Sequence, residues 1–155
     1  MTQQQTGYAF PSGVTEPEYD LWSDRVDIDP TGVFSELSEA DAAWRAKARK
    51  FVLNEVKDDI HEYWDKADYP LHLVKKLGDA DLLRDGLKIE GREEMSPLAA
   101  GLINMEMARG DGSVATIIGV QGGLALRSVI YCGSPEQIAM FGLQMLAGVL
   151  PGAFE

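Results

Sequence analysis

The sequence contains few residues of the kinds that support disulfide, metal or nucleic-acid chemistry. It has one cysteine, Cys132, and two histidines in 155 residues. One cysteine can form neither an intramolecular disulfide nor a multi-thiolate metal site, so a reducing, cytoplasmic location is expected. Basic residues are scarce as well, 14 against 25 acidic ones, for a formal net charge of -11. Because nucleic acids and anionic membranes bind basic surfaces, neither is expected as a partner.

Long uninterrupted apolar runs are also missing. The most apolar stretch, residues 114–131, is interrupted by Gln121, Gly122, Gly123 and Arg127, which favours a buried helix over a membrane span. The N-terminus has neither the basic region nor the apolar core of a signal peptide. Apolar residues nevertheless make up 45% of the chain, which is enough for one globular domain with a core.

Helical signals begin after residues 1–35, which we interpret as an extended arm because they lack a sustained apolar period. Residues 38–63 carry apolar side chains every three and four positions. They also begin with a capping pair, Ser38 and Asp41. This pattern predicts one long helix of about 26 residues.

Two shorter helices are predicted by their end signals. Asp68 is expected to open a second helix that ends at Gly78. The pair Ser96 and Pro97 supplies an N-cap with proline at the first helical position, and the third helix is expected to end at Gly110.

The apolar stretch itself predicts the fourth helix, from about residue 112 to residue 131, ending at Gly133. A fifth helix starts at Ser134, where Gln137 completes a capping box, and Gly148 is its expected C-terminal glycine. No run alternates polar and apolar residues long enough to predict a sheet. The expected fold is therefore all-α, a five- to six-helix, up-and-down-like orthogonal bundle over residues 36–149.

Several polar residues have both a chemical and a structural interpretation. His61 and Asp65 are one helical turn apart and could share a metal ion with His72, but a solvated helix face is the better interpretation and no metal is expected. Cys132 lies at a helix C-terminus, where the negative end of the dipole does not activate a thiol, so a buried structural cysteine is expected.

Two further groups of residues are less clear. Glu106, Arg109 and Asp111 are interpreted as helix-end charges, with Asp111 as an N-cap. Gly122 and Gly123 each cost about 1 kcal/mol inside a helix, which indicates close approach of another backbone or of a ligand. The residues alone leave those two explanations open and indicate no catalytic residue.

Four stretches in order carry a resemblance to a known family: "ARKFVLNEV", "EYWDKADYPLHLVKKLGDADLL", "INMEMARGDGSVATIIGVQGGLALRSVIYCGSPEQ" and "LAGVLPGAF". Together they resemble the N-terminal helical domain of the acyl-CoA dehydrogenase family. Within it, "VQGG" and "IYCGSPEQ" are most similar to the branch of glutaryl-CoA dehydrogenases and short-chain acyl-CoA oxidases of plant peroxisomes.

The resemblance implies an FAD-dependent oxidoreductase that desaturates an acyl-CoA thioester between its α and β carbons. It implies electron-transfer flavoprotein or oxygen as the electron acceptor and a homo-oligomer as the complete enzyme. The glutamate base and most of the flavin site of the family lie in later domains, so residues 1–155 alone are expected to give no turnover. A stand-alone helical interaction module without catalysis is the alternative.

The resemblance also implies substrate-binding positions. Glutaryl-specific members carry Arg-Ser where this chain has Ala115 and Thr116, and alanine cannot form a charge-assisted bond with a distal carboxylate. A plain acyl chain is therefore the expected substrate. Gly122 and Gly123 are expected where the acyl chain or flavin passes the helix, so that Gly122→Leu would weaken acyl-CoA binding without loss of the fold.

The C-terminal residues complete the resemblance. Residues 150–155 are similar to the segment that leads into the flavin-binding β-domain of the family, and Phe154 matches the first aromatic of that segment. Phe154 is therefore the implied cofactor-binding residue of this chain.

Overall fold

The architecture is helical throughout the part of the chain that the computed structural model describes, residues 29–152. Six helices and no strand occur in those residues, which confirms the all-α prediction. The helices are α1 (Glu39–Phe51), α2 (Ile60–Lys66), α3 (His72–Asp79), α4 (Pro97–Gly110), α5 (Gly112–Cys132) and α6 (residues 135–146).

The described chain begins with a capped turn. The Asp29 carboxylate accepts hydrogen bonds from the amides of Val33 (2.8 Å) and Phe34 (2.7 Å). Residues Val33–Glu36 form one turn of 3-10 helix. The predicted arm therefore ends in a turn, and residues 1–28 of that prediction lie outside the described residues.

One carboxylate links the starts of α1 and α4. The Ser38 side chain accepts from the Asp41 amide, and the Ser96 side chain accepts from the Ala99 amide, so both predicted N-caps are confirmed. The Asp41 carboxylate accepts a hydrogen bond from the Ser38 hydroxyl and another from the Ser96 hydroxyl. These bonds, with the larger effect from Ser38, hold the pKa of Asp41 below its ordinary value.

The predicted 26-residue helix is instead two helices. After α1 the chain widens into a π turn, Val52–Val56, and passes through a turn at residues 57–59 before α2 begins. Val52, Val56 and Ile60 are all buried. Their four-residue spacing would place them on one face of a regular helix as well, which is why the sequence predicted one continuous helix here.

Gly78 does not end α3, contrary to the prediction. The helix continues to Asp79, and Gly78 lies inside it against the backbone of Ala147 and Gly148. A Cβ at Gly78 would come within 2.7 Å of the Gly148 nitrogen. Gly148 itself has φ +65 and ends α6, as predicted.

The core forms where α4 packs against α1 and α5. By length and apolar composition alone, α5 would suffice to cross a membrane. In the structure one side of α5 packs in the core, with Val114, Ile118 and Leu126 fully buried. Its middle, Gly119–Leu126, is a π segment, and Gly133 follows its last residue as predicted.

The remaining elements surround this core. Helix α6 starts with the predicted capping box between Ser134 and Gln137. The irregular segment at residues 82–95 is held by Arg84, which is fully buried and donates to the carbonyl oxygens of Leu87 and Glu93 and to the Asp81 carboxylate.

Candidate functional site

The first turns of α5 carry the predicted substrate-binding pair. Asp111 caps the helix as predicted, with Oδ1 accepting from the Val114 amide at 2.9 Å. Its Oδ2 accepts from the indole Nε1 of Trp64 at 3.0 Å. The Trp64 ring, which is 52% exposed, is thereby fixed beside the start of α5. The sequence did not single out Trp64, because its partner lies 47 residues further along the chain.

Ala115 and Thr116 follow this cap and differ in exposure. Ala115 is half-buried and packs against the core, whereas Thr116 is exposed and its hydroxyl donates to the Gly112 carbonyl. Val120 and Leu124 continue the same side of the helix at four-residue intervals. Val120 is half-buried and Leu124 is 50% exposed. The result is an open, mostly apolar side of α5 from Thr116 to Leu124, here named the α5 face.

Gly122 is in contact with protein backbone. A Cβ there would lie 2.9 Å from the carbonyl carbon of Leu83 and closer still to its oxygen. A Cβ at Gly123 would lie 3.0 Å from the Asp85 carboxylate. Close approach of the 83–85 backbone therefore accounts for both glycines, which was one of the two explanations that the sequence left open. Contact of these glycines with an acyl chain or flavin stays a prediction.

The backbone opposite Gly122 is held firmly. Arg127 Nη2 donates to the Asp85 carbonyl oxygen at 2.6 Å and to its carboxylate at 3.2 Å, and Asn104 donates to the other carboxylate oxygen. Asp85 has φ 46, in the left-handed region that most side chains avoid. Because this segment cannot move away easily, Gly122→Leu would disrupt the fold, contrary to the expectation from sequence.

Gln121 fixes the segment that follows α6. Its side chain is buried, and Nε2 donates to the carbonyl oxygens of Met145 (2.9 Å) and Leu150 (3.0 Å). Its Oε1 accepts from the Gly152 amide at 2.6 Å. One polar residue in an otherwise apolar stretch is the sequence signal for this role. The backbone of residues 145–152 thus has a defined position relative to α5.

Glu106 is not a helix-end charge, contrary to the prediction. Its side chain is 0% exposed, and its carboxylate lies 2.8 Å from Arg45, 3.9 Å from Arg49 and 3.6 Å from Arg109. Glu106 follows the buried Ile103 by three residues, so it falls on the core side of α4. This three-residue spacing was the indication in the sequence that Glu106 is buried. A buried carboxylate requires charged partners, and the arginines provide them.

Tyr69 packs near the start of α5 with its hydroxyl buried. The oxygen has no hydrogen-bond partner within residues 29–152. Burial, with a smaller contribution from the Asp111 charge, raises the pKa of Tyr69 far above its ordinary value. The hydroxyl therefore stays neutral and does not act as a base.

The metal-binding interpretation gains no support among the described residues, where no group of three or more candidate ligands is found. His61 packs edge-on against Trp64. His72 lies 3.4 Å from the Asp59 carboxylate and beside Tyr63. Each histidine therefore has its own contacts on the helix surface.

Cys132 is exposed, contrary to the prediction of a buried cysteine. It ends α5. Tyr131 next to it is 69% exposed, and the last fully buried residue of the helix is Leu126, six residues earlier.

The residue implied in cofactor binding, Phe154, lies outside the described residues. Within residues 29–152, the α5 face offers apolar side chains, such as Val120 and Leu124, against which the apolar part of a flavin ring could pack. The α5 face is open to solvent, so more protein would be needed to enclose such a ring.

A second exposed apolar surface lies on and around α6. Met140 is 60% exposed and Leu143 is 68% exposed, and Tyr131 near the end of α5 and Val149 after α6 are exposed as well. Helix α6 carries one charged residue, Glu136. A helix that is apolar on its exposed side is usually covered by another surface.

The chain is similar to known proteins over most of its length. The family model described as acyl-CoA dehydrogenase, N-terminal domain, matches residues 38–149. The crystal structure of glutaryl-CoA dehydrogenase from Mycobacterium smegmatis has a TM-score of 0.71 and 30% identity, over 76% of this chain and 30% of that chain. A glutaryl-CoA dehydrogenase from the same organism in complex with FADH2 has a TM-score of 0.70 and 27% identity, over 74% of this chain and 30% of that chain. No curated protein matches the sequence closely.

The extent of these matches agrees with the fold. The matched residues 38–149 include all six helices, and this chain spans 30% of the length of each of the two enzymes. The chain belongs to the acyl-CoA dehydrogenase family and contains its N-terminal domain.

Proposed function

We propose that this chain is the N-terminal helical part of an FAD-dependent acyl-CoA dehydrogenase and forms one wall of its acyl-binding site. The single observation that carries the proposal is the α5 face: a half-exposed, mostly apolar surface that begins at Thr116, beside the half-buried Ala115, and ends at Leu124. Such a surface suits an alkyl chain, because burying apolar area is favourable at roughly 25 cal/mol per Å².

The substrate is a plain acyl thioester in this proposal. Ala115 provides no positive charge, and the Thr116 hydroxyl is already donated to the Gly112 carbonyl. A second carboxylate on the substrate would lose its hydration here without gaining a charged partner. The solved relatives are glutaryl-CoA dehydrogenases, so the two positions would distinguish this chain from them.

In the complete enzyme, this chain would contribute to substrate binding, and the oxidising group and the base would come from FAD and from other segments. FAD, when bound, supplies the oxidising group, and electron-transfer flavoprotein or oxygen would be the final acceptor. This chain would position the acyl group and exclude water from one side of it, and the base would come from the additional length that the related enzymes have. A homo-oligomer is proposed for the complete enzyme.

An NMR titration of the 155-residue chain tests the substrate contact. With butyryl-CoA we expect amide shift changes in residues 113–124 that exceed those caused by free CoA, and smaller changes there with glutaryl-CoA. Ala115→Arg should reverse this preference, since it adds a guanidinium beside the α5 face. Ser113→Arg, at an exposed position two residues earlier and so about 200° around the helix, is the matched control and should leave the preference unchanged.

Two results would count against the proposal. One is a set of shift changes confined to another surface, and the other is an identical response to butyryl-CoA and free CoA. The expected lack of turnover is tested separately by adding FAD, butyryl-CoA and an artificial electron acceptor to the chain, where reduction of the acceptor would contradict it. A fluorescence titration with FAD reports whether flavin contacts are retained in residues 1–155.

A second candidate function is a stand-alone helical interaction module. The exposed apolar side of α6, with Met140 and Leu143, is the observation that favours it. Light scattering after gel filtration separates the two candidates. A single defined oligomer or a stable monomer would favour the module, whereas a concentration-dependent spread of aggregates would favour a domain whose apolar surfaces require the rest of an enzyme.

A further inference from the structure

The helix that carries the α5 face contains a single charged residue. Between Gly112 and Cys132 that residue is Arg127, in a protein whose formal net charge is -11. Arg127 follows Leu124 by three residues, so it falls on the same side of the helix. Less than one turn after Leu124, the apolar surface therefore ends at a cation.

The Arg127 guanidinium still has free donors. Its Nη2 makes both contacts with Asp85, at 2.6 Å to the carbonyl oxygen and at 3.2 Å to the carboxylate. The side chain is 38% exposed, and within residues 29–152 neither Nε nor Nη1 donates a hydrogen bond. The exposed Tyr131 ring lies beside it, with its centroid 5.9 Å from the guanidinium carbon. Two of the three guanidinium nitrogens can therefore serve an oxygen acceptor.

Asp85 holds these donors in one place. Its carboxylate also accepts from Asn104, at 3.2 Å, and its backbone has φ 46, so it is a fixed partner for Arg127. A side chain that is already held in position loses little conformational freedom when it takes up a ligand. Arg127 is in this sense preorganised at the end of the α5 face.

The proposed function, on which this inference rests, gives the ligand a direction along α5. In it the distal end of the acyl chain lies at Thr116. From Thr116 to Leu124 the helix rises by about 12 Å, and Arg127 lies about 4.5 Å further on. The part of an acyl-CoA nearest to Arg127 is then the thioester and the first amide of the CoA arm. Each of these has a carbonyl oxygen, whereas the phosphates are separated from the thioester by the whole pantetheine arm.

We propose that Arg127 binds the thioester arm of the acyl substrate, by donating from Nε or Nη1 to the carbonyl oxygen of the thioester or of the amide that follows it. The contact fixes how far the acyl chain extends along the α5 face. A neutral carbonyl suits this site, because Asp85 already balances the charge of the guanidinium. A charged donor nevertheless forms a stronger hydrogen bond than a neutral one.

Two thioesters test this contact and separate a carbonyl from a phosphate. Butyryl-CoA has both kinds of acceptor, and S-butyryl-N-acetylcysteamine has the thioester and the first amide but no phosphate. Each is titrated into the 155-residue chain, and NMR follows the amides of residues 113–124 and the Nε–H resonance of Arg127. Both thioesters should shift that resonance together with those amides. Arg127→Met should weaken the binding of both by about tenfold.

Asp85→Asn is the control that separates binding from anchoring. Asparagine tolerates the left-handed backbone at this position, and its side-chain oxygen and backbone carbonyl can still accept from Arg127. Because a partly exposed ion pair contributes little, this variant should retain the affinity for both thioesters within about twofold. If Arg127 only anchored residues 83–85, the two variants would bind equally weakly, and the inference would be wrong.

The other outcomes are also decisive. An Nε–H resonance that stays in place in the unmodified chain, while the amides of residues 113–124 shift, would overturn this inference and leave the proposed function standing. So would a loss of affinity in Arg127→Met that is confined to butyryl-CoA, because it would assign Arg127 to a phosphate. No shift changes in residues 113–124 with either thioester would overturn both proposals.

Discussion

Replacing Gly122 with alanine tests how closely α5 lies on the 83–85 backbone. The new methyl group would be directed at the Leu83 carbonyl, with its carbon 2.9 Å from the carbonyl carbon. The obstacle is backbone rather than a flexible side-chain end. It is also anchored, because Arg127 donates two hydrogen bonds to Asp85. The clash can therefore be relieved only by moving the helix or the anchored segment.

The magnitude follows from a comparison within the same π segment. Gly119 begins that segment, and a methyl group added there would have none of the described neighbouring atoms within 4 Å. Both substitutions gain about 1 kcal/mol of helix propensity, so this gain cancels when the two variants are compared. What remains is the cost of overpacking, about 1–3 kcal/mol. Gly122→Ala should be the less stable variant by that amount.

Urea unfolding followed by circular dichroism measures the difference. With a slope of about 2 kcal/mol per molar urea, the midpoints of the two variants should differ by about 0.5–1.5 M. Gly123→Ala should fall between them, because its methyl group would meet the movable Asp85 carboxylate at 3.0 Å. Equal midpoints for Gly122→Ala and Gly119→Ala would refute the close packing of α5 on Leu83.

Three further substitutions test the buried polar groups. Tyr69→Phe removes a buried hydroxyl without a partner in residues 29–152 and should stabilise the domain by about 1 kcal/mol in urea unfolding. Because the pKa of Tyr69 is raised in the folded state, the contribution of Tyr69 to folding stability is intact below the ordinary pKa of 10.0 and is lost as the pH rises above it. Tyr69→Phe should therefore reduce the loss of stability at alkaline pH. A steeper loss in the variant would contradict the burial of the Tyr69 hydroxyl. Glu106→Gln should lower the free energy of unfolding by about 3 kcal/mol, since it removes the buried negative charge that pairs with the arginines. Glu62→Gln, at an exposed position, should leave the unfolding midpoint nearly unchanged. Equal effects of the two substitutions would argue against a buried Glu106. Gln121→Met should lower the free energy of unfolding by about 3 kcal/mol, at about 1 kcal/mol for each of its three hydrogen bonds. It should also speed hydrogen exchange of the Gly152 amide. An unchanged exchange rate would show that Gln121 does not hold this amide.

Helix starts were predictable because the contacts that set them are local. Ser38, Ser96, Asp111 and Ser134 each accept a hydrogen bond from an amide three residues later. Such a contact depends on the side chain and its immediate neighbours alone. The sequence therefore contained all the information needed for four of the helix starts.

Other features depend on what lies opposite a residue and were missed for that reason. Gly78 was expected to end a helix, but the backbone of Ala147 lies against it. Cys132 was expected to be buried, but none of the described elements covers the end of α5 there. In both cases the deciding neighbour is absent from the local sequence. Glu106 is different, since its spacing from Ile103 on α4 already placed it on the apolar side.

In the candidate site, too, some residues could be predicted from the sequence and others depend on distant contacts. Ala115 and Thr116 were predicted through the family motif, and the structure places Thr116 at the start of an open apolar surface with the half-buried Ala115 beside it. Their contact with a substrate stays a prediction. Trp64 and Gln121 were not found, because their hydrogen-bond partners are 47 and up to 31 residues away in the chain. Long-range hydrogen bonds of single side chains leave no periodic signal in a sequence.

The three hydrogen bonds of Gln121 have a practical consequence for measurement. They hold the backbone at Leu150 and Gly152 against α5, so a fluorophore or spin label attached at the exposed position 151 between them has a fixed origin on the backbone. A second label at the exposed Thr116 would then report distances along the α5 face with little uncertainty from linker motion. Gln121→Met would release this backbone, so the label at residue 151 would take up a range of positions. The measured distribution of distances between the two labels would then become broader.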